Sequence, residues 1–174
     1  MSNAKELIRQ LQLSPHPEGG YYREVFRSEN SVLPLIEQLQ GGTPTPPGEK
    51  RSSMTSIFFL LEKGDFSAFH QVKADEVWQL ILGGPAEIFS LTSDGELQHS
   101  LLAVDQGAGF NPQCVIKAGR LQATRLAPNA EFALCTCIVA PGFEFKDFYM
   151  PTRQEMLAIL PQHKEMITQL TRES

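Results

Sequence analysis

The sequence lacks several features that would assign it to a broad class at once. No apolar stretch approaches the ~18 consecutive residues of a membrane-spanning helix, so we expect no membrane partner. Acidic residues outnumber basic ones, 20 Asp and Glu against 15 Lys and Arg, for a net charge of −5. Because no basic patch stands out, we expect no nucleic-acid partner. The first residues lack the basic-then-apolar pattern of a secretion signal, which predicts a cytoplasmic protein.

Cysteine is scarce. The chain has three, Cys114, Cys135 and Cys137. An odd number without a Cys-x-x-Cys pair disfavours a disulfide framework and a zinc site. Cys135 and Cys137 lie two residues apart in an apolar run and would share one face of a strand. We interpret them as small core residues in a reducing compartment.

What the chain does contain is typical of one domain, residues 1–174. Of its 174 residues, 41% are hydrophobic and 20% are charged, which is enough to bury a core without disulfides. Short strands separated by Gly, Pro, Asn and Asp turns predict an all-β sandwich or small barrel. The predicted strands are 21–27, 55–61, 68–72, 76–82, 86–91, 96–102, 114–117, 121–126 and 131–139.

Two short helical segments are expected outside the strands. Asn3 can cap an N-terminal helix, because apolar residues follow it at helical spacing. Thr152, with Glu155 three residues later, predicts the cap of a C-terminal helical segment over about 152–171. Pro161 is expected to start a second helical piece within that segment.

The stretch from Gly64 to Gly83 carries the clearest sign of chemistry. It places His70 on one predicted strand and Glu76, with Trp78, on one face of the next. A carboxylate that faces a β interior is costly unless it is paired, hydrogen-bonded or metal-bound. We therefore predict that these three side chains point into one cavity. The alternative is that His70 is a satisfied core or surface histidine.

The spacing of this stretch resembles the first motif of the cupin superfamily, Gly-x5-His-x-His-x3-Glu-x6-Gly. Gly64, His70, Glu76 and Gly83 fill four of its five positions. Val72 stands where the second His would be.

The second cupin motif aligns less well, over residues 111–126. Gly119 alone fits it, and Gln122 stands where the resemblance would place a metal-binding His. A catalytic first-row metal site needs three or more His or carboxylate ligands and an open position. His70 and Glu76 supply two, and Gln122 at most a weak oxygen. We therefore expect no cofactor; a divalent metal held by these three residues is the alternative.

Longer segments resemble one cupin subfamily, the DUF985 or cupin-5 group. They are HPEGGYY at 16–22, TSIFFLL at 55–61, the 70–84 block with its DEVW, and VAPGFEFKDF at 139–148. The resemblance covers about 13–148 and implies a double-stranded β-helix, the cupin jelly-roll barrel, usually as a homodimer. It also implies kinship with sugar-nucleotide epimerases, without an established reaction. The apolar strand at 21–26 could pair with a partner's sheet edge.

Without a metal, His70 and Glu76 can act as an acid–base pair. In the epimerases that the resemblance implies, a His base and a Tyr acid exchange a proton beside a carbonyl. Tyr22, or its neighbour Tyr21, could supply that second group, and we assign His70, Glu76 and Tyr22 to catalysis. The tyrosines would otherwise be strand aromatics that pack a core or a dimer edge. Strict alternation places Arg27 on the face opposite Tyr22.

Four further residues are assigned to ligand binding: Trp78, Gln122, Arg23 and Phe69. Trp78 offers a flat face for a sugar or a base, with a core Trp as the alternative. Arg23 suits a phosphate or carboxylate, or else forms a surface salt bridge. Gln122 would supply a hydrogen-bonding wall.

These residues predict a small-molecule ligand in the barrel, a carbohydrate or a nucleotide-sugar. If the protein is an enzyme, proton transfer of the isomerase or epimerase type is favoured. Two alternatives stay open. One is a metal-dependent cupin enzyme such as a dioxygenase, and the other is a non-catalytic sensor module that retains its ligand without turnover.

Overall fold

A computed structural model describes residues 3–33, 49–92, 95–105 and 109–172. These residues form two β-sheets that pack face to face, a two-stranded ribbon, and short helices outside. The strands are β1 Ser14–Pro15, β2 Tyr21–Arg27, β3 Ser31–Val32, β4 Arg51–Ser52, β5 Thr55–Glu62, β6 Phe66–Val72, β7 Asp75–Gly83, β8 Ala86–Leu91, β9 Leu97–Leu102, β10 Gln113–Ile116, β11 Leu121–Leu126, β12 Phe132–Ala140 and β13 Phe148–Tyr149.

One sheet has six strands in the order β1-β2-β5-β12-β7-β10, and the other has five, in the order β13-β6-β11-β8-β9. Apolar side chains from both sheets meet between them. Phe59 and Leu80 come from the six-stranded sheet, and Ile88 and Leu102 come from the five-stranded sheet. This is a jelly-roll sandwich with its core between the layers. The predicted all-β fold class is confirmed.

The predicted strands lie within two residues of the observed ones, and 21–27, 86–91 and 121–126 match at both ends. Agreement is close because each run of β-branched and aromatic residues is bounded by turn residues. The sequence does not predict β1, β3, β4 or β13, because two-residue strands carry no alternation.

The first helix, α1 Ala4–Gln10, begins where the sequence predicts. The backbone N–H of Glu6 donates to Asn3 Oδ1 at 2.8 Å, which caps the helix. On its inner face, Leu7 packs with Leu60 against the outer side of the six-stranded sheet.

The C-terminal segment forms two helices, α2 Arg153–Ile159 and α3 Lys164–Gln169, joined by a 3₁₀ turn that starts at Pro161. The predicted capping box of Thr152 and Glu155 is present. No helix in the described part of the chain is long and apolar enough to cross a membrane. Both helices cover the outer face of the five-stranded sheet, where Met156, Leu160, Ile167 and Leu170 pack against Phe69, Phe89 and Ala123.

Strand β2 contains a β-bulge that strict alternation does not anticipate. Its register against β5 shifts by one between Glu24 and Phe26, so Val25 is an extra residue. Beyond the bulge, every side chain points to the other face. Arg27 therefore shares a face with Tyr22 and Glu24, which corrects the prediction that it lies opposite them.

The free edge of β2 bears on the predicted homodimer. Beyond Tyr21 and Tyr22, which pair with β1, the described residues provide no strand on that side of β2. Val25 and Phe26 are 41% and 48% exposed. A homodimer through this edge stays a prediction.

Candidate functional site

A cavity of ≈ 160 Å³ lies between the two sheets. Its floor, called here the site floor, consists of four buried titratable side chains: His16, Glu18, His70 and Glu76. The other lining residues are Tyr22, Glu24, Arg27, Thr55, Ile57, Phe59, Val72, Trp78, Cys137, Val139, Phe143, Glu144, Phe145 and Phe148.

The structure brings together His70, Glu76 and Trp78, as the sequence predicts. His70 and Val72 project from β6 of the five-stranded sheet, and Glu76 and Trp78 project from β7 of the six-stranded sheet. The two strands follow one another in sequence but belong to opposite layers, so their inward faces meet across the sandwich.

Sequence reasoning missed His16 and Glu18. The segment between β1 and β2 reads only as a shaped loop, because Pro and Gly interrupt it. In the structure it is a tight turn, in which His16 N–H donates to Gly20 O and Gly19 N–H donates to His16 O, both at 3.0 Å. The turn carries both side chains into the cavity. The available signal was a carboxylate between Pro17 and Gly19 in a segment that carries the family resemblance.

Hydrogen bonds fix which imidazole nitrogens carry protons. His70 Nδ1 lies 2.8 Å from the carbonyl oxygen of Ala68, which can only accept, so Nδ1 donates. Neutral His70 therefore has its lone pair on Nε2. The backbone N–H of Glu18 donates to His16 Nδ1 at 3.4 Å, so neutral His16 has its lone pair on Nδ1.

The Glu18 carboxyl lies between these two lone pairs. Its Oε2 is 3.4 Å from His16 Nδ1 and 3.4 Å from His70 Nε2. Its Oε1 accepts a hydrogen bond from Ser67 Oγ at 2.8 Å. His16 Nδ1 already accepts from Glu18 N–H, but Glu18 Oε2 and His70 Nε2 would face each other as two acceptors without a donor. One proton must therefore lie between these two atoms.

The pKa shifts place that proton on Glu18. Burial raises the pKa of Glu18 to about 8, although the Ser67 hydrogen bond and the Arg172 charge oppose it. Burial, with His70 beside it, lowers the pKa of His16 to about 4. Burial also lowers the pKa of His70. At neutral pH the carboxyl is therefore protonated and both imidazoles are neutral.

Glu76 is held by a different set of partners. Burial raises its pKa, while the proximity of His70 and a hydrogen bond from Gln122 oppose the rise. The side-chain NH2 of Gln122 donates to Glu76 Oε2. The side-chain oxygen of Gln122 accepts from Trp78 Nε1 at 3.1 Å. Gln122 does not line the cavity. It contacts Glu76 and Trp78 from behind, and the ligand-binding role assigned to it stays a prediction.

The other three predicted site residues, Tyr22, Arg23 and Phe69, do not all face the cavity. Tyr22 lines the cavity, with its ring edge-on to His16 at 4.5 Å between centroids. Arg23 points the other way and donates to Gln12 Oε1 at 3.3 Å. Phe69 is fully buried beneath α2 and α3. Because neighbours in a strand face opposite sides, the positions of Arg23 and Phe69 do not fit the ligand-binding role predicted for them.

The site mouth consists of Glu24, Arg27 and Glu144, whose side chains are 38–40% exposed. Arg27 donates to both carboxylate oxygens of Glu24, at 3.0 and 2.8 Å, and to Glu144 Oε1 at 3.0 Å. Two carboxylates thus surround one guanidinium, which leaves the mouth with a net negative charge. The bulge at Val25 makes this arrangement possible.

Aromatic rings separate the site floor from solvent. Phe148 stacks on His70 with 5.5 Å between centroids, and Phe145 stacks on His16 with 5.9 Å. Phe145 begins a 3₁₀ turn, Phe145–Asp147, and Phe148 directly follows it. These rings contribute to the burial that lowers the pKa of both imidazoles.

Two of the three residues assigned to the metal alternative already have partners in the structure. The oxygen of Gln122 is engaged by Trp78, and His70 Nε2 is directed at Glu18. Val72 contributes only a hydrocarbon wall. Within residues 3–33, 49–92, 95–105 and 109–172, no three His, Cys, Asp or Glu side chains are arranged to hold a metal ion.

The two core cysteines fit the interpretation made from the sequence. Both are buried. Burial raises the pKa of Cys135 to about 12 and holds the pKa of Cys137, which also faces Glu76, well above its usual value. Cys137 therefore presents a neutral thiol to the cavity.

Gly19 is required by the turn that carries Glu18. Its φ is +113°, and a Cβ there would overlap the Arg172 guanidinium and the Phe66 carbonyl oxygen. We expect Gly19→Ala to lower the thermal midpoint far more than Gly64→Ala. Gly64 has φ +89° and open space around it, so its replacement costs only the backbone strain of about 1–2 kcal/mol. Equal losses in the two variants, measured by calorimetry, would contradict this prediction.

Comparison with known proteins identifies similar sequences. Residues 5–151 match the family model described as "Cupin superfamily (DUF985)". The uncharacterized protein YML079W of Saccharomyces cerevisiae is 29% identical over 150 residues, which cover 84% of this chain and 74% of that protein.

Solved structures show the same architecture. Protein SO0799 from Shewanella oneidensis superposes with a TM-score of 0.84 at 35% identity over 100% of both chains. A hypothetical protein from Leishmania major gives 0.86 at 29% identity, over 99% of this chain and 100% of that one. Oxalate decarboxylase from Bacillus subtilis gives 0.55 at 17% identity, over 92% of this chain and 37% of that chain, a likeness of fold alone.

Proposed function

This chain belongs to the DUF985 family of the cupin superfamily, and from that premise we propose that its cavity binds a neutral, sugar-sized metabolite and exchanges a proton with it. One observation supports this function above others. The Glu18 carboxyl is buried at the site floor, with its Oε2 3.4 Å from both His16 Nδ1 and His70 Nε2. A buried acid beside two neutral imidazoles is a typical arrangement for general acid–base catalysis.

The size and charge of the cavity favour a neutral sugar over a nucleotide-sugar. Its ≈ 160 Å³ falls below the roughly 300–1,000 Å³ of sites that enclose drug-sized ligands. A nucleotide-sugar would also bring a diphosphate to the mouth. The cationic side chain there, Arg27, is already held by Glu24 and Glu144. A second anion would face two carboxylates with no uncommitted charge to receive it.

The chemistry follows from the protonation states. A neutral imidazole, His70 or His16, supplies a lone pair that takes a proton from carbon beside a carbonyl. The electron pair of the broken C–H bond forms the enediol double bond, and the carbonyl oxygen takes the proton of Glu18. In the second half, the imidazolium returns its proton to carbon, either at the neighbouring position or on the other face. A hydroxyl of the enediol returns a proton to the Glu18 carboxylate. Glu76 and Tyr22, which line the same cavity, stay in the proposed catalytic set.

Exchange with deuterium tests this function. The protein is incubated in D2O with a panel of aldoses and ketoses, and proton NMR follows loss of the C–H signal beside the carbonyl. Glu18→Gln and His70→Asn should slow exchange at least about 100-fold, the usual contribution of a general acid or base. His99→Asn is the matched control, because His99 is half-exposed and lies against Phe89, away from the cavity.

The alternatives give different results in the same preparation. Tighter binding of a nucleotide-sugar than of its free sugar would contradict the neutral-ligand proposal. Retention of a sugar without exchange would identify a binding module rather than an enzyme. A stoichiometric divalent metal in natively purified protein, by elemental analysis, would support the metal-dependent alternative.

A further inference from the structure

The chain after α3 reaches the back of the turn that carries Glu18. Its first anchor is the carbonyl of Leu170, which accepts a hydrogen bond from Phe69 N–H at 2.9 Å. The next is Thr171, which is buried and donates to Ile167 O at 2.6 Å. These bonds hold the segment beside β6 and deliver the following residue, Arg172, to the outside of the barrel behind the site floor.

Arg172 bonds directly to the backbone that carries Glu18. Its Nη2 donates to the carbonyl oxygen of Glu18 at 3.2 Å, to that of Phe66 at 2.7 Å, and to Asp65 Oδ1 at 2.7 Å. The guanidinium carbon lies 4.0 Å from the centroid of the Phe66 ring. Such a stacked cation with several directed bonds is well fixed in position.

Asp65 extends the same clamp to the other end of the turn. Its Oδ2 accepts from Gly20 N–H at 2.7 Å, and its Oδ1 accepts from Phe66 N–H at 2.8 Å as well as from Arg172. The turn is thus held at Gly20 by this ion pair, and at Glu18 by Arg172 together with the backbone N–H of Ala68, which donates to the same carbonyl oxygen at 2.9 Å. The absent side chain of Gly19 leaves room for the guanidinium between these points.

We propose that Arg172 is a positioning residue for Glu18. Paired with Asp65, it fixes residues 17–20 from outside the barrel and so sets where the Glu18 carboxyl stands between His16 and His70. The role of Arg172 as a positioning residue rests on the proposed function, whereas the contacts that it makes do not.

The charges around Glu18 make this role measurable. From inside the barrel it is faced by His16, His70 and Glu76. From outside, the positive charge of Arg172 lowers the pKa of Glu18 against the stronger effect of burial. Removing the guanidinium should therefore raise the pKa further, and loss of the clamp should weaken the contacts with the imidazoles.

An open groove gives solvent access to Arg172. It measures ≈ 270 Å³ and is lined by Pro15, Pro17, Gly19, Tyr21, Asp65 and Arg172, among others. In a variant that lacks the guanidinium, small solutes could reach the position that it occupied from outside the barrel. Free guanidinium could then bind beside Asp65 in place of the lost side chain.

The experiment is a carbon-13 NMR titration of the glutamate carboxyl signals, with the Glu18 signal assigned by its absence in Glu18→Gln. In Arg172→Ala we expect the apparent pKa of Glu18 to rise by roughly one unit, the scale on which a nearby opposite charge acts. Arg172→Lys, which keeps the charge but not the fork, should give a smaller rise. Guanidinium chloride at non-denaturing concentration should move the Arg172→Ala value back toward wild type.

Arg125→Ala is the matched control. Arg125 also lies over a phenylalanine ring, that of Phe89 at 5.1 Å, and also pairs with a carboxylate, that of Glu87 at 2.7 Å, but it does not touch the turn. It should leave the Glu18 titration unchanged. An unchanged titration in folded Arg172→Ala would overturn the proposal, as would an equal shift in Arg125→Ala.

Two further variants keep the test decisive. If Arg172→Ala does not fold, the apparent pKa of Glu18 is measured in Arg172→Lys and Asp65→Asn instead. A wild-type pKa of Glu18 in both variants would overturn the proposal. The readout requires no substrate. If sugars neither bind nor exchange, the proposed function fails while the positioning role is still decided by the titration.

Discussion

Replacing Arg51 with methionine should lower the free energy of unfolding by about 3–5 kcal/mol, the usual cost of breaking a buried ion pair. Arg51 is 2% exposed and donates to both oxygens of Asp147, at 2.7 and 3.2 Å. Methionine fills much of the same volume but removes the bidentate contact to the buried Asp147 carboxylate, which then keeps Lys73 Nζ at the longer distance of 3.7 Å. Urea denaturation monitored by Trp78 fluorescence measures the loss.

The Arg51 variant should also weaken the ligand site. Asp147 ends the 3₁₀ turn that presents Phe145 to the cavity, and Phe148 follows it directly. Lys63→Met is the control, because Lys63 pairs with Glu131 where both side chains are more than 60% exposed. It should cost less than about 1 kcal/mol. If the two losses are equal, the Arg51–Asp147 pair does not secure this segment.

As pH rises toward about 8, the protein should lose stability through Glu18. The folded-state pKa of Glu18 is about 8 against 4.5 for the unshifted group. Between these values the folded state binds a proton that the unfolded state has released. The free energy of unfolding then falls as pH rises, by up to about 1.4 kcal/mol per unit.

The two histidines narrow the pH range in which this loss of stability can be measured. His16 has a folded-state pKa of about 4 against 6.5, so between these values it adds stability as pH rises. The lowered pKa of His70 acts in the same direction. These gains oppose the Glu18 loss most strongly below pH 6.5 and are half complete at pH 6.5. From pH 6.5 to about 8, stability should fall by about 1 kcal/mol, because the remaining histidine gains offset part of the Glu18 loss.

Glu18→Gln isolates this dependence, because the amide resembles the protonated carboxyl in shape and charge. Denaturation midpoints at several pH values should show a clearly flatter decline in the variant than in wild type. Glu131→Gln, at an exposed position, should keep the wild-type slope. An undiminished slope in Glu18→Gln would mean that Glu18 ionises with its ordinary pKa in the folded protein.

The sequence predicts those parts of the molecule that depend on local order. Strand alternation and turn residues are enough to predict an all-β sandwich or small barrel and to place His70, Glu76 and Trp78 on one cavity, and the resemblance to cupins adds the jelly-roll topology. The same alternation, applied to Phe69 and Arg23, already indicates the opposite face from their neighbours. For the predicted roles, both side chains would have to face the cavity, whereas their strand positions place them on the opposite face.

What the sequence could not predict depends on contacts between distant segments. Glu18 enters the site through a turn whose backbone is fixed by Arg172, 154 residues later. The bulge at Val25 depends on the register against β5 and leaves no mark in the alternation of β2 itself. Gln122 finds its two partners, Glu76 and Trp78, only when the two sheets pack.

The bulge at Val25 also bears on which single-codon changes this site could survive during evolution. In a regularly paired strand, deleting one residue moves every later side chain to the opposite face of the sheet. Deleting Val25 would instead restore regular pairing with β5 and leave Arg27 opposite Thr55, two positions after Glu24 and on the same inward face. At this one position a codon could be lost while Arg27 stays at the mouth beside Glu24 and Glu144.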